Sequence, residues 1–167
     1  VILKKREVMF KDPVQELNLG NSGTGARLLL GLISGLGLRS TITGDSSLSK
    51  RPMNRIIEPL KMMGARLSSD KGMLPISTQG SKIMNNFEYE MPIASAQVKS
   101  CLLLTAMSAK KNIKITEPKI TRDHTERMID FFGGDIAYGN NQNSRLIELN
   151  YSELEPKDTF NVPGDFS

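Results

Sequence analysis

The first half of the chain alternates between short strands and longer helices. Residues 40–43 alternate polar and apolar side chains, which is typical of a strand, and a shorter strand is predicted at 17–19. Between them, residues 23–36 carry apolar side chains at helical spacing. A second helix is predicted from Pro52, placed in its first turn, to about residue 63, with Gly64 as its C-terminal glycine. Strands at 65–68 and 73–77 follow, joined by a turn at 70–72.

The second half repeats this order. Its predicted elements are a strand at 87–91, a helix at 95–109, a strand at 113–116, a helix at 123–132, and strands at 136–138 and 145–149. The glycine- and asparagine-rich run at 139–143 is predicted to form the loop of the closing hairpin. Each half therefore has the order βαβαββ.

The two halves also match residue by residue at an offset of about 70 positions. Residues 21–24 fall on 94–97, and 41–44 fall on 114–117. Such self-similarity indicates an internal structural repeat. We therefore predict an α/β (α+β) fold of repeated βαβαββ units. The predicted boundaries are a remnant of a preceding unit at 1–16, one unit at 17–80, the next at 81–161, and a crossing to another domain at 162–167.

Bulk composition excludes several classes of protein. A hydrophobic content of 38%, not counting 14 glycines, argues against a disordered chain. The single Cys101 excludes an internal disulfide and a multi-cysteine metal site, which favours a reducing, cytoplasmic location. No apolar run of about 18 residues exists, so no membrane association is predicted. The first six residues do not resemble a signal peptide, and both chain ends suggest a fragment.

Two predicted helix starts are candidates for anion binding. The leading N–H groups of a helix lack backbone partners and carry positive partial charge. At the first start, Gly23 lets a ligand approach the backbone, and Arg27 follows four residues later on the same face. Simple N-capping by Asn21 or Ser22 is the alternative interpretation. Arg51, just before Pro52, is predicted to lie near another helix start.

The second unit offers equivalent groups. Ser95, Ala96 and Gln97 stand at a helix start, and Arg122 precedes the next helix. The Ser95 hydroxyl can bind an oxyanion or cap the helix, and Gln97 supplies both a donor and an acceptor. Both units thus direct a helix N-terminus and an arginine toward what could be one shared site for an anionic ligand.

Other polar residues are assigned structural or surface positions. Lys99 is predicted to face solvent, and His124, the single histidine, to serve a structural role near a helix start. Cys101 and Met107 are predicted to be core residues. The sequence shows no convincing acid–base pair of carboxylates, metal-ligand spacing or nucleophile–base pair. It predicts a binding half rather than a complete catalytic site, with no catalytic residue and no metal-ligand set.

Five motifs together resemble the EPSP synthases, enolpyruvyl transferases that act on shikimate 3-phosphate. In chain order they are LGNSGTGAR at 19–27, GDSSLSKRP at 44–52, PIASAQVKS at 92–100, TRDHTER at 121–127 and VPGD at 162–165. The resemblance extends from about residue 17 to the C-terminus. It implies a fold of two similar domains, each made of three βαβαββ units, in an inside-out α/β barrel arrangement. The two units predicted for this chain resemble the second and third units of the first domain.

The resemblance also implies a reaction and its partners. The family transfers the enolpyruvyl group of phosphoenolpyruvate to the 5-hydroxyl of shikimate 3-phosphate and releases phosphate, on the route to chorismate and aromatic amino acids. It uses neither a metal nor an organic cofactor. The implied partners are these two small molecules, without nucleic acid or membrane. Full-length members are usually monomers, and a fragment could self-associate through its uncovered edge.

Site residues follow from the resemblance by position. Gly23, Arg51 and Gln97 resemble the contacts to phosphoenolpyruvate. Ser95, Ala96, Gln97 and Arg122 resemble the contacts to shikimate 3-phosphate. Four further positions resemble supporting residues of the same wall: Asn21, Thr24, Arg27 and Thr121. A glycine rather than an alanine at position 23 resembles the glyphosate-sensitive pattern.

Two departures from the family bear on activity. The opening Pro-Gly-Asp-Lys-Ser motif, whose lysine contacts both substrates, is missing from this sequence, as is the second domain. Catalysis in the family depends on closing two halves around both reactants. The chain is therefore predicted to bind weakly and not to turn over.

Two alternative functions compete with this interpretation. The enolpyruvyl transferase acting on UDP-N-acetylglucosamine shares the fold but lacks the Ser-Ala-Gln and Arg-Asp-His-Thr-Glu patterns of this sequence. A basic α/β module that binds nucleic acid would fit the net charge of +4. It would need exposed aromatics among its basic residues, whereas Phe131 and Phe132 are predicted to be core residues.

Overall fold

The computed structural model of the chain describes residues 10–141, 144–155 and 157. The predicted remnant at 1–16 lies partly outside these residues, and the predicted crossing at 162–167 lies wholly outside them. Within the described part, the predicted order of strands and helices is confirmed in both halves.

The first unit begins with a short strand and ends with a hairpin. Its elements are β1 (Leu17–Asn18), α1 (Gly23–Leu36), β2 (Arg39–Thr43), a 3-10 helix (Leu48–Lys50), α2 (Asn54–Met62), β3 (Leu67–Asp70) and β4 (Met73–Gln79). Strand β1 pairs parallel to β2, whereas β4 lies antiparallel between β2 and β3. The sheet order is therefore β1-β2-β4-β3.

The second unit has the same topology. Its elements are β5 (Phe87–Glu90), α3 (Ala96–Ala109), β6 (Ile113–Glu117), α4 (His124–Phe131), β7 (Asp135–Asn141) and β8 (Ser144–Asn150). Strand β5 pairs parallel to β6, and β8 lies antiparallel between β6 and β7. The order β5-β6-β8-β7 repeats that of the first sheet. The internal repeat predicted from the sequence is thus a repeat of structure.

Helices α1 and α3 pack against each other in the interior. Each is 14 residues long and buries residues on more than one face, including Leu30 and Ile33 of α1 and Leu102 and Leu103 of α3. A helix buried on several sides belongs in the centre of a fold rather than on its surface. The buried apolar residues of the two units form a single core cluster.

Small and hydroxyl residues allow these helices a close approach. The Thr105 hydroxyl donates a hydrogen bond to the Gly31 carbonyl oxygen at 3.0 Å, and the Ser108 hydroxyl donates to the Leu32 carbonyl oxygen at 3.3 Å. Near the other end, Gln97 contacts Thr24. Because early residues of α1 contact early residues of α3 and later residues contact later ones, the helices run parallel. Their N-termini lie at the same end of the molecule.

Three expectations about these elements were wrong. Pro52 precedes α2, which begins at Asn54 after an N-cap at Met53. Residues 139–141 were predicted as loop but belong to β7, which continues to Asn141 and pairs in register with β8; residues 142 and 143 lie outside the described part. Phe131 is 46% exposed rather than a core residue.

The start of α2 is displaced for a local reason. Arg51 is extended (φ −85°, ψ 128°), as expected for a residue before proline. The Met53 N–H donates a hydrogen bond to the Gly72 carbonyl oxygen at 2.8 Å, and the Met53 side chain is buried. Because these contacts fix Met53 outside the helix, α2 begins at the next residue, Asn54.

Within the described residues, every helix is too short or too polar to traverse a lipid bilayer.

Candidate anion-binding site

The N-terminus of α1 is capped and flanked by two arginines. The Ser22 hydroxyl accepts a hydrogen bond from the Gly25 N–H at 3.1 Å, so the capping alternative for Ser22 is confirmed. The Arg27 guanidinium donates to the Gly23 carbonyl oxygen at 3.2 Å. Arg51 donates to the side-chain oxygen of Asn21 at 2.5 Å. The two cations therefore lie beside the first turn of the helix.

Gly23 is enclosed by these arginines. A Cβ atom at this position would lie 3.0 Å from an Arg27 terminal nitrogen and 3.1 Å from an Arg51 terminal nitrogen. Burial and then the nearby Arg51 and Arg55 charges lower the pKa of Arg27 from its usual value. In the described residues neither Arg27 nor Arg51 forms an ion pair with an acidic side chain, and two such cations beside a helix N-terminus favour an anion.

The loop before Arg51 is held by Asp45. One carboxylate oxygen of Asp45 accepts from the N–H groups of Ser47 at 2.9 Å and Leu48 at 2.7 Å. The Asp45 N–H in turn donates to the Gly20 carbonyl oxygen at 2.9 Å. The loop carrying Arg51 is thus tied to the loop that leads into α1.

The N-terminus of α3 is built in a similar way. The Ser95 hydroxyl accepts from the Val98 N–H at 3.4 Å, so Ser95 is the N-cap. Within the first turn, the Gln97 amide donates to the Thr24 hydroxyl at 2.8 Å. This bond joins the N-terminal turns of α1 and α3, and with them the two predicted groups of ligand contacts.

An open cavity of about 500 Å³ lies at the start of α3. It is lined by Ala94, Ser95, Ala96, Gln97, Thr121 and Arg122. All four residues predicted for shikimate 3-phosphate therefore line one cavity, together with the predicted supporting residue Thr121. Arg122 is exposed, and it has no ion-pair partner in the described part of the chain.

A smaller cavity of about 160 Å³ shares Ala96, Gln97 and Arg122 with the first. The remaining lining residues are Thr24, Leu28, Ser100, His124 and Thr125. The Thr125 hydroxyl donates to the Ser100 hydroxyl at 2.8 Å, which fastens the start of α4 to α3. His124 is the first residue of α4 and is exposed.

The expectation for Lys99 was wrong. Its side chain is completely buried, and its ammonium group lies 3.1 Å from Glu117 and 2.7 Å from Glu126, which are also completely buried. The carboxylate of Glu117 further accepts from the Thr121 hydroxyl at 2.7 Å. Sequence analysis missed this cluster, although it contacts a residue of the cavity wall.

A signal for Glu117 is present in the sequence. Ile113, Ile115 and Glu117 alternate with polar positions along β6, so strand periodicity places all three on the buried face. Glu126 lies three residues before the buried Ile129 and shares its side of α4. Two buried carboxylates require a basic partner in the interior, and Lys99 is the buried basic residue that meets them.

Cys101 and Met107 pack in or against the core, as predicted. Burial raises the pKa of the Cys101 thiol to about 12, so this group is not a nucleophile at neutral pH. The described residues contain no group of three histidine, cysteine, aspartate or glutamate side chains placed to hold a metal ion.

Comparison with known proteins identifies the family. The family model for EPSP synthase (3-phosphoshikimate 1-carboxyvinyltransferase) matches residues 1–167, the whole chain. This chain belongs to the EPSP synthase family.

Curated relatives of that name share close to half of the aligned residues. The protein from Clostridium tetani is 42% identical over 158 residues, covering 95% of this chain and 35% of the relative. The protein from Methylococcus capsulatus is 49% identical over 134 residues, covering 80% of this chain and 31% of the relative. The chain thus spans about a third of the length of these relatives.

A solved structure supports the fold. The EPSP synthase of Acinetobacter baumannii superposes with a TM-score of 0.77 and 44% identity, over 87% of this chain and 32% of that one. The inside-out α/β arrangement, with helices inside and sheets outside, is therefore the arrangement of this chain as well.

Proposed function

We propose that this chain forms one wall of the substrate cleft of a 3-phosphoshikimate 1-carboxyvinyltransferase. The reaction transfers the enolpyruvyl group of phosphoenolpyruvate to the 5-hydroxyl of shikimate 3-phosphate, giving 5-enolpyruvylshikimate 3-phosphate and phosphate. Family membership supports the reaction. The observation that carries the site is the cavity at the start of α3, where Ser95, Gln97 and Arg122 meet.

The chemistry of the cavity suits the phosphate of shikimate 3-phosphate. In this proposal the guanidinium of Arg122 forms a charge-assisted pair with the phosphate, and the Ser95 hydroxyl with the first N–H groups of α3 donates further hydrogen bonds. Arg122 has the rigid, forked donor geometry that matches phosphate oxygens. Ala96 leaves room for the ligand next to the backbone.

The arginines beside α1 suit the second substrate. Gly23 leaves space between the terminal nitrogens of Arg27 and Arg51, and the absence of a side chain allows an anion to reach the helix N-terminus. Phosphoenolpyruvate has a carboxylate and a phosphate, both of which pair with guanidinium groups. The Gln97–Thr24 hydrogen bond links the two halves of the wall, which favours a fixed distance between the two bound substrates.

The architecture supports a place for the chain within a longer enzyme. We propose that its units are the second and third βαβαββ units of the first domain, with boundaries near 17–80 and 81–161. The chain alone is then expected to bind substrate without turnover. A cytoplasmic location, a monomeric full-length enzyme and a reaction without metal or cofactor remain part of the same proposal.

Replacement of Arg122 tests the phosphate contact. We expect Arg122→Ala to weaken the binding of shikimate 3-phosphate to the 167-residue chain by about 10- to 100-fold, because one charge-assisted hydrogen-bonded pair is lost. Isothermal titration calorimetry measures this, with shikimate as the ligand lacking the phosphate. Arg127→Ala is the matched control, since Arg127 in α4 forms a surface ion pair with Asp123, the N-cap of that helix. Unchanged affinity of Arg122→Ala would remove Arg122 from the site.

A further inference from the structure

A completely buried ion cluster lies behind the larger cavity. Lys99 projects from the start of α3, and its ammonium nitrogen lies 3.1 Å from both carboxylate oxygens of Glu117 at the end of β6. The same nitrogen lies 2.7 Å from an oxygen of Glu126 in α4. All three side chains have 0% exposure. The cluster therefore ties together three elements of the second unit.

The Glu117 carboxylate also contacts the wall of the cavity. One oxygen accepts from the Thr121 hydroxyl at 2.7 Å, and the other faces the Thr121 N–H at 3.4 Å. Thr121 and Arg122 both line the cavity. Thr121 thus bonds the loop between β6 and α4 to the end of β6, at the position immediately before Arg122.

Stability alone is a poor explanation for this cluster. Removing three ionisable groups from water has a cost that offsets most of their mutual attraction, so apolar residues of similar volume often serve a core equally well. What apolar residues could not supply is a fixed acceptor for Thr121. The oxygens of Glu117 are held in place by Lys99, which donates a hydrogen bond to each of them.

We propose that Glu117 is a positioning residue for the phosphate site. It holds Thr121 through the hydroxyl, and this contact sets the backbone of Arg122 so that its guanidinium faces the phosphate before the ligand arrives. Lys99 supports this role by donating hydrogen bonds to both oxygens of the Glu117 carboxylate. This inference rests on the proposed function, because the ligand is the phosphate of shikimate 3-phosphate.

Glu126 provides a matched control for Glu117. Glu117→Gln and Glu126→Gln make the same chemical change, at equally buried positions, against the same lysine. Only Glu117 is hydrogen-bonded to Thr121 among the described residues. Both variants remove a carboxylate charge next to Lys99, so an effect of that loss alone is expected in both, whereas a positioning role predicts weaker phosphate binding in Glu117→Gln alone.

Thr121 provides a second pair of variants that avoids changing buried charge. Thr121→Val removes the hydroxyl and keeps the shape of the side chain, and Thr121→Ser restores the hydroxyl. Thr41→Val is the control for the loss of a threonine hydroxyl far from the cavity, where Thr41 bonds the Ser77 hydroxyl in the first sheet. Urea unfolding of each variant verifies that it is folded.

The experiment compares dissociation constants of the 167-residue chain for shikimate 3-phosphate and for shikimate. We expect Thr121→Val and Glu117→Gln to weaken shikimate 3-phosphate binding by about tenfold, as for a lost hydrogen bond to a charged group. Shikimate binding is expected to stay unchanged, and Thr121→Ser, Glu126→Gln and Thr41→Val to keep the wild-type ratio. Equal ratios in Thr121→Val and wild type would overturn the proposal, as would equal losses in the two glutamine variants.

A second readout separates this proposal from the proposed function. Amide hydrogen exchange of residues 119–123 in the ligand-free chain reports the order of the loop. Faster exchange in Thr121→Val and Glu117→Gln, with Thr121→Ser and Glu126→Gln unchanged, supports the positioning role even if wild type does not bind shikimate 3-phosphate, which would contradict the proposed function alone. Unchanged exchange in all four variants would show that Glu117 does not position the loop.

Discussion

At the residue scale, Gly23 marks a point where two guanidinium groups converge on the backbone. A methyl group added at Gly23 would lie 3.0 Å from a terminal nitrogen of Arg27 and 3.1 Å from one of Arg51. Those separations are tight enough that both arginines must move by a few tenths of an ångström. In the proposed site these two nitrogens face phosphoenolpyruvate. A methyl group at position 23 should therefore affect the binding of that substrate and not of shikimate 3-phosphate.

Gly23→Ala is therefore expected to weaken phosphoenolpyruvate binding by about tenfold, because misplaced charged groups lose affinity steeply with distance. Binding of shikimate 3-phosphate is expected to remain unchanged. Calorimetric titration of phosphoenolpyruvate into the chain saturated with shikimate 3-phosphate measures the effect. Gly139→Ala is the control, since an added Cβ there would make ordinary contacts with Leu146 at 3.6 Å. An equal loss in both variants would contradict the role assigned to Gly23.

Burial of Cys101 gives a pH dependence of stability. The pKa of this thiol is raised by burial from 9.0 to about 12, so the folded chain keeps the proton where the unfolded chain loses it. The contribution of the buried thiol to the free energy of unfolding is fully present below about pH 9. It is lost as the pH rises toward 12, because the unfolded chain then releases the proton first. The free energy of unfolding is expected to fall by up to about 1.4 kcal/mol per pH unit in that range.

Urea unfolding between about pH 8 and pH 10 measures this slope, with Cys101→Ala as the reference that lacks the thiol. Burial also raises the pKa of Tyr89, and that contribution is present in both proteins. Identical slopes in the two proteins would show that Cys101 does not cause the dependence.

Some residue positions could be predicted from the sequence and others could not. The positions of Gly23, Ser95 and Gln97 at helix starts were predicted correctly, because small and hydroxyl residues at a helix start have a recognisable pattern. Lys99 was misplaced on the surface because its burial depends on Glu117 and Glu126, which lie 18 and 27 positions later in the sequence. Local patterning contains no information about a lysine whose two partners come from different elements.

At the element scale, the parallel packing of α1 and α3 fixes both halves of the site. A Cβ atom on Gly31 would lie 2.5 Å from the Cys101 carbonyl oxygen, and one on Gly35 would lie 2.3 Å from the Thr105 carbonyl oxygen. Both contacts are with backbone atoms, which cannot move aside independently. Glycine at these positions therefore sets the distance between the helices and between their N-termini.

Gly31→Ala is expected to lower the free energy of unfolding by about 1–3 kcal/mol through overpacking. The gain in helix propensity, about 1 kcal/mol, opposes this effect without cancelling a clash of backbone atoms. Urea unfolding measures the difference. Ser34→Ala in the same helix is the control. Ser34 has a buried hydroxyl without a hydrogen-bond partner in the described residues, so its removal should leave stability equal or higher. A Gly31→Ala protein as stable as wild type would contradict this explanation of the packing.

Element boundaries were predicted less well than element order. The order βαβαββ follows from hydrophobic periodicity, which the structure confirms in both units. The start of α2 was placed at Pro52, because the sequence does not show that the Met53 N–H bonds to the Gly72 carbonyl oxygen. The loop of the last hairpin was made too long, because asparagines favour turns while the pairing of β7 with β8 extends through Asn141.

At the scale of the whole molecule, two units of the same topology bring equivalent helix N-termini to one end. The strand order β1-β2-β4-β3 matches β5-β6-β8-β7, so α1 and α3 occupy equivalent positions and run in the same direction. Each presents a capped N-terminus and an arginine from a following loop, Arg51 in the first unit and Arg122 in the second. In the proposed function, this repeat supplies one anion site for each of the two anionic substrates.

The central claim is that the start of α3 and Arg122 bind the phosphate of shikimate 3-phosphate, and amide NMR tests it most directly. Shikimate 3-phosphate is titrated into the isotopically labelled 167-residue chain, with inorganic phosphate as the control ligand. We predict shift changes concentrated at Ser95, Gln97 and Arg122 that saturate at lower concentration than with inorganic phosphate. A well-dispersed spectrum without changes at these residues, or with the same response to both ligands, would contradict the claim.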